Sequence, residues 1–315
     1  MNFLDIKTDY AFKKVFGSEN SKDILLSFLN SVIIFKDNKL IQDLDILDPY
    51  NIPMLQGMKN TFVDVKAKLD DESIVIIEMQ ILNEGDFQKR ILYNAAKNYS
   101  IQLTKGDNYN LLNPVIALSI VDFNMFETNN EVITNFKLLE KKQLIDYTDD
   151  IELIFIELPK FKKEIEECEN IQDKWIYFIK NASSLHVIPK NITKEQIKAF
   201  EIVNQSSLTI EELELQRKRQ DFIYITKSSI QKGYDKGERK GYEIGEAKGR
   251  EEGREEGREE GMEKGKAEGI EKGKAEGELQ TKIQIAKNLI SQNFDNKTIS
   301  LITELSEETI ESLRQ

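Results

Sequence analysis

The sequence predicts an α/β domain with a mixed sheet, followed by a helical region, a charged repeat and a small helical tail. Three observations carry this reading. Helical and strand-like hydrophobic periods alternate over about the first 160 residues. Two strongly alternating stretches, 61–69 and 73–81, flank the acidic turn Asp70-Asp71-Glu72 and predict a hairpin. From Gly233 to Gly277 a glycine recurs at every fourth position, twelve of the sixteen in the chain.

Each element follows from its own pattern. Residues 9–34 predict two amphipathic helices, the first closed by Gly17, the second after Asn20 with Ile24, Leu25, Phe28, Leu29 and Val32 on one stripe. Residues 40–47 read as a strand ending at Asp48-Pro49. In TFVDVKAKL, Val63, Val65, Ala67 and Leu69 share one face; in SIVIIEMQI, Val75, Ile77, Met79 and Ile81 face the core. Residues 86–104 predict a helix bearing Lys89, Arg90, Tyr93, Lys97 and Tyr99. The continuous apolar run 114–123 predicts a buried strand, with further strands at 131–139 and 151–158. Helices dominate from about 170 to 230, where QRKRQ (216–220) leads toward the repeat. The expected divisions are 1–165, 166–230, 231–277 and 278–315.

Composition excludes several classes. No apolar run approaches the length needed to span a bilayer, and the N-terminus lacks a signal-peptide pattern, so a cytoplasmic protein is expected. One cysteine, Cys168, excludes an internal disulfide framework; one histidine, His186, excludes a multi-histidine metal site. Both read as structural. Net charge is −12, of which the repeat (12 basic, 14 acidic) contributes −2. A nucleic-acid partner would therefore need a local basic patch or metal ions to offset the carboxylates.

The hairpin carries the candidate chemistry. With the turn centred on Asp71, opposed residues have numbers summing to 142, which sets Asp64 against Glu78. Opposed side chains share a face, about 4.5–5.5 Å apart at Cβ. Two carboxylates so placed repel unless a cation separates them, and the pair suits Mg²⁺. Gln80 stays on the same face. The alternative is a solvated strand face neutralised by Lys66 or Lys68.

The spacing D-(x)13-E-x-Q across a hairpin, preceded by helices and followed by a Lys/Arg/Tyr-bearing helix, resembles the PD-(D/E)XK nuclease superfamily, with its restriction-endonuclease-like fold. Within it the chain is similar to the recombination-promoting nuclease (Rpn) group, the PD-(D/E)XK nuclease family transposases. The shared stretches are TDYAFKKVFG (8–17), FVDVKAKL (62–69), IVIIEMQ (74–80), residues 89–109 and NPVIALSIVDFNMF (113–126). The resemblance implies an αβββαβ core and a DNA endonuclease dependent on magnesium or manganese, linked to recombination or mobile elements. It makes Asp64 and Glu78 metal ligands and places Gln80 where most of the superfamily has a catalytic lysine. It likens Asp9 to the helix-borne acid that completes some of these sites. Lys13, Lys14, Arg90, Tyr93 and Lys97 are candidates for contacts to DNA phosphates, or else a solvated helix face. The alternative function is a catalytically weak or inactive nuclease fold acting in DNA binding or self-assembly.

The repeat reads as a charged helix with a side-chain-free groove, or as a tether. Twelve interior glycines cost an isolated helix roughly 10 kcal/mol relative to alanine. Arg250, Arg254 and Arg258 form one i,i+4 column and Glu251, Glu255 and Glu259 another. Like-charge columns favour a neighbouring helix, so a homo-oligomer through 231–315 is expected. Residues 278–315, with six acidic and four basic residues, predict a docking or dimerisation piece rather than a DNA-reading one, with Asn296 and Ser306 as N-caps.

Overall fold

A computed structural model of the chain describes residues 1–35, 39–51, 61–83 and 85–314. The chain divides into two compact units, Met1–Ser229 and Ile230–Gln315.

The first unit opens with α1 (Asp9–Phe16) and α2 (Lys22–Val32). Gly17 ends α1, its N–H donating to the Lys13 carbonyl, and a Cβ there would stand only 3.0 Å from that oxygen. The α2 stripe is buried as the period predicts: Ile24, Leu25, Phe28, Leu29 and Val32. Strands β1 (Leu44–Leu47), β4 (Val65–Leu69), β5 (Ile74–Gln80), β6 (Val115–Val121), β7 (Ile133–Leu139) and β8 (Asp146–Glu157) build one sheet in the order β1-β4-β5-β6-β8-β7. The short β2 (Tyr50–Asn51) and β3 (Thr61–Phe62) pair separately.

The sheet is mixed as expected: β5, β6 and β8 run parallel, while β1, β4 and β7 join antiparallel. Its central strand β6 is buried at all seven positions, as a continuous apolar run requires of a strand covered on both sides. Val65, Ala67, Leu69, Val75 and Ile77 pack with α1 and α2 and with the later helices α4 (Ile171–Asn181) and α5 (Lys194–Ile202). Ile76, Val115, Ala117 and Phe155 pack on the other side with Phe87, Ile91 and Ala95 of α3 (Phe87–Ser100). Trp175 of α4 lies fully buried between Phe16, Phe28 and Phe178.

Helix α6 runs from Ile210 to Ser291. Its opening turns pack on α1: Gln216, 3% exposed, accepts from Thr8 Oγ1 at 3.1 Å, and Tyr10 donates its hydroxyl proton to Glu212.

In the second unit the glycine repeat is helical throughout, and a Cβ at any of its twelve glycines would meet nothing within 4 Å. Helices α7 (Asn296–Thr303) and α8 (Glu307–Arg314) close a small core of Ala286, Ile299, Leu305 and Ile310. Ser306 accepts from Thr309 N–H at 3.2 Å, as its expected capping role requires. At α7 the cap is Asp295, which accepts from Thr298 N–H at 3.0 Å. Asn296 is instead the first helical residue, a one-position correction, because it is Asp295 that has the extended backbone of a cap, with φ −76° and ψ 157°, and whose carboxylate reaches the Thr298 N–H.

Candidate active site

The hairpin register follows the sum rule, Val65 facing Ile77 and Ala67 facing Val75, but the regular ladder stops at Val65. Asp64 N–H donates to the Ile77 carbonyl at 3.0 Å, so Asp64 and Val65 meet the same partner residue in the manner of a β-bulge. Two consequences follow. Val63 leaves the face of Val65, Ala67 and Leu69, where alternation placed it, and packs among Ile76, Phe87 and Ile91. The Asp64 carboxylate turns back onto the neighbouring strand, and its Oδ2 accepts from Met79 N–H at 2.8 Å, between Glu78 and Gln80.

Helix α1 brings Asp9 to Asp64. Lys13 Nζ stands 2.9 Å from Asp9 Oδ1 and 3.5 Å from Asp64 Oδ1, so one ammonium serves both carboxyls. Burial, and then the hydrogen bond shared with Asp9, push the Asp64 carboxyl up from 3.8 to about 7. Burial would raise Asp9 as well, but the bond to Asp64 and the Lys13 charge outweigh it and hold Asp9 below the ordinary carboxylate value. The two carboxyls therefore titrate as a pair, with Asp64 shifted up and Asp9 down.

Glu78 and Gln80 are gathered by α3. Arg90 Nη2 lies 2.7 Å from Glu78 Oε1 and 2.8 Å from Gln80 Oε1. The Gln80 amide also donates to the Leu82 carbonyl at 2.8 Å, so both of its ends are engaged. Asp64 therefore leans toward α1 and Glu78 toward α3, with the Met79 amide between them. Among the described residues, no three His, Cys, Asp or Glu side chains stand close enough to hold a metal ion together.

The expected phosphate ligands divide. Lys13 and Arg90 are at the site but paired with its acids. Lys14 stands 3.6 Å from Glu212 and donates to the Tyr10 hydroxyl at 3.0 Å. Tyr93 is exposed, whereas Lys97, 4% exposed, is buried in the protein and does not present its ammonium to a ligand at the surface. The helical period places Lys97 on the inner side of α3, level with Asn94 and Asn98, which are also buried.

Sequence reasoning did not anticipate Arg219 of α6, whose Nη2 reaches Asp9 Oδ2 at 3.2 Å. QRKRQ marks the segment, but only folding shows that one of its arginines meets an acid 210 residues away. It also did not anticipate Asp122. That residue follows β6, its N–H donating to the Gln80 carbonyl at 2.9 Å.

Asp64, Glu78, Gln80, Arg90 and Asp122 lie at the carboxyl edge of the parallel strands β5, β6 and β8, where ligands of open α/β sheets bind. The PD-(D/E)XK nuclease family transposase pattern matches residues 6–233. The chain belongs to that family. No curated protein and no solved structure matches it. The family match covers the sheet, the site and the opening turns of α6. No helix among the described residues is long and apolar enough to cross a membrane.

Proposed function

We propose that this PD-(D/E)XK family member is a metal-dependent DNA endonuclease that hydrolyses phosphodiester bonds, with Asp64, Glu78 and Gln80 as catalytic residues. The observation that carries this is the crowding of Asp9 on Asp64, with Asp64 pushed up to about 7 and its carboxylate docked on the amide between Glu78 and Gln80. Burying two acids side by side is costly, and it makes sense where a cation is to be bound.

Asp64, Glu78 and Asp9 are hard oxygen donors of the kind Mg²⁺ and Mn²⁺ take, and to share one ion Glu78 would have to swing from Arg90 toward the Asp9–Asp64 pair. Such an ion, when bound, would polarise the phosphate and lower the pKa of an attacking water. The protein's own groups do the rest. Lys13 and Arg219 balance Asp9 and can exchange that role for phosphate oxygens. Arg90 orients Glu78 and Gln80 together. Gln80, a neutral amide, can hydrogen-bond a water or phosphate oxygen but supplies no charge, so Arg90 is the cation nearest the superfamily's lysine position. Lys14 and Tyr93 would add contacts to the DNA backbone. The repeat and tail (231–315) would set how many such domains act together, in a cytoplasmic protein serving recombination or mobile elements.

A second reading has its own support. Glu78 and Gln80 are both engaged by Arg90, and Asp64 leans toward the opposite helix, an arrangement that suits a noncatalytic nuclease fold serving DNA binding or assembly. Incubation with supercoiled plasmid decides between them. Nicking that needs Mg²⁺, stops in EDTA and is lost in Asp64→Asn supports the endonuclease; equal nicking by wild type and Asp64→Asn rejects the site.

A further inference from the structure

A row of buried polar side chains runs from the candidate site into the apolar interior between α3 and the sheet. Ala117, Val121 and Phe155 of the sheet pack there against Ile91 and Ala95 of α3. Among them stand Asn94 and Asn98 of α3 and Ser119 of β6, 1%, 0% and 1% exposed. Asn98 Nδ2 donates to the Asn94 carbonyl at 2.9 Å. Asn94 Oδ1 and Nδ2, Asn98 Oδ1 and Ser119 Oγ have no hydrogen-bond partner among the described residues. A buried polar group in that condition destabilises the fold, and an apolar side chain of the same shape would not. Polar groups kept at that cost beside a site call for a use.

The row is continuous with the Arg90 clamp. Ser119 lies in register with Glu78 on the adjacent parallel strand, on the face that Ala117 and Val121 turn to α3. Neighbouring strands stand about 4.8 Å apart, so the two side chains are adjacent. Asn94 is one turn beyond Arg90. Helical side chains lean toward the N-terminus, so the Asn94 amide lies over the turn that carries Arg90. Asn94 and Ser119 thus set two acceptors on the inner side of a guanidinium that bonds Glu78 and Gln80.

We propose that Asn94 and Ser119 form a second seat for the Arg90 guanidinium, taken up when Glu78 leaves it. They are positioning residues, acting through Arg90 and touching no reacting atom. The proposal rests on the endonuclease reading for its purpose, since there Glu78 must swing from Arg90 to share an ion with Asp9 and Asp64. Arg90 then keeps Gln80 and exchanges the carboxylate for the Asn94 and Ser119 oxygens. Being neutral, these neither compete for the ion nor repel Glu78. Without the seat, the guanidinium keeps drawing the carboxylate back.

The seat is tested without metal, by thermal melting of the full-length protein in EDTA, followed by the fluorescence of Trp175, the single tryptophan. In the wild-type background Asn94→Leu keeps the shape and removes the unmade bonds, so it should melt at or above the wild-type temperature. In Glu78→Ala, where Arg90 has lost that carboxylate and turns to the seat, the same substitution should lower the melting temperature by roughly 3–10 °C. Ser119→Ala deletes one oxygen and should show the same dependence on background. Equal changes in the two backgrounds by Asn94→Leu or, where that variant does not fold, by Ser119→Ala, would overturn the seat.

Mg²⁺ titration of the melting temperature separates the two ideas. Asn94→Leu should bind Mg²⁺ about 10-fold more weakly, the worth of one hydrogen bond to a charged group; wild-type affinity would overturn the role in releasing Glu78. A wild type that Mg²⁺ does not stabilise would sink the endonuclease reading, and the seat would still stand or fall on the cycle in EDTA.

Discussion

Asp64→Asn should stabilise the metal-free protein at neutral pH while removing its activity. Raising a carboxyl from 3.8 to about 7 means that the folded state holds a proton the unfolded chain releases near pH 4. Between those values the folded state binds more protons, so stability falls as pH rises and stays low above about pH 7. At about 1.36 kcal/mol per unit the full shift is worth about 4 kcal/mol. The opposite shift of Asp9 returns part of it, and roughly 1–3 kcal/mol remains as the penalty for ionising Asp64. Asparagine keeps the acceptor for Met79 N–H and offers Asp9 a donor, without the charge. The assay is thermal melting in EDTA from pH 4 to 8.5. Wild type and variant should melt together near pH 4 and diverge above it, with Asp64→Asn higher by roughly 2–10 °C at pH 8 for a unit of this size. Mg²⁺ should then raise the wild type, by about 2.7 kcal/mol at a hundredfold excess over Kd, and leave the variant unmoved. A gap that is constant with pH, or a wild type that gains on the variant as pH rises, would refute the upward shift of Asp64 beside Asp9.

Two further outcomes follow from the same geometry. Gln80→Lys places a second cation against Arg90, now 2.8 Å from the Gln80 amide, and should cost about 1–2 kcal/mol by chemical denaturation; adding Arg90→Ala should recover part of that loss, giving a nonzero double-mutant coupling. In the repeat, Gly253→Ala/Gly257→Ala/Gly261→Ala meets open space at every site, so helicity by circular dichroism should rise by about 0.8–1 kcal/mol of helix stability per residue, and a drop in oligomer mass by sedimentation would identify the groove as the self-association face.

The predicted elements and the observed ones agree most closely where a local period decides the structure. The α2 stripe, the fully apolar β6 and the hairpin turn each follow from side chains within a few residues of one another. The candidate pair was legible in part for the same reason: a turn at Asp71 sets which residues oppose, and the register holds from Lys68–Ile74 to Val65–Ile77. One residue further it does not hold. The bulge at Asp64 depends on β4 ending where Val63 turns to Phe87 and Ile91 on α3, a packing choice with no local signature. Lys97 shows the same limit, since a lysine on an amphipathic helix reads as exposed until a second element covers it.

By itself the sequence determined the α/β class, the order of the elements, the hairpin register, the helical period of the glycine repeat and, through its motifs, the family. Those properties rest on periodicity and on spacing along the chain, which need no knowledge of what lies across the fold. Only the tertiary structure decided that Asp9 meets Asp64 across Lys13, that Arg90 gathers Glu78 and Gln80, and that Arg219, Lys7 and Lys227 come to the same sheet edge. The physical reason is common to all of them: the energy of a charge depends on its neighbours and its burial, and those neighbours lie up to 210 residues away along the chain.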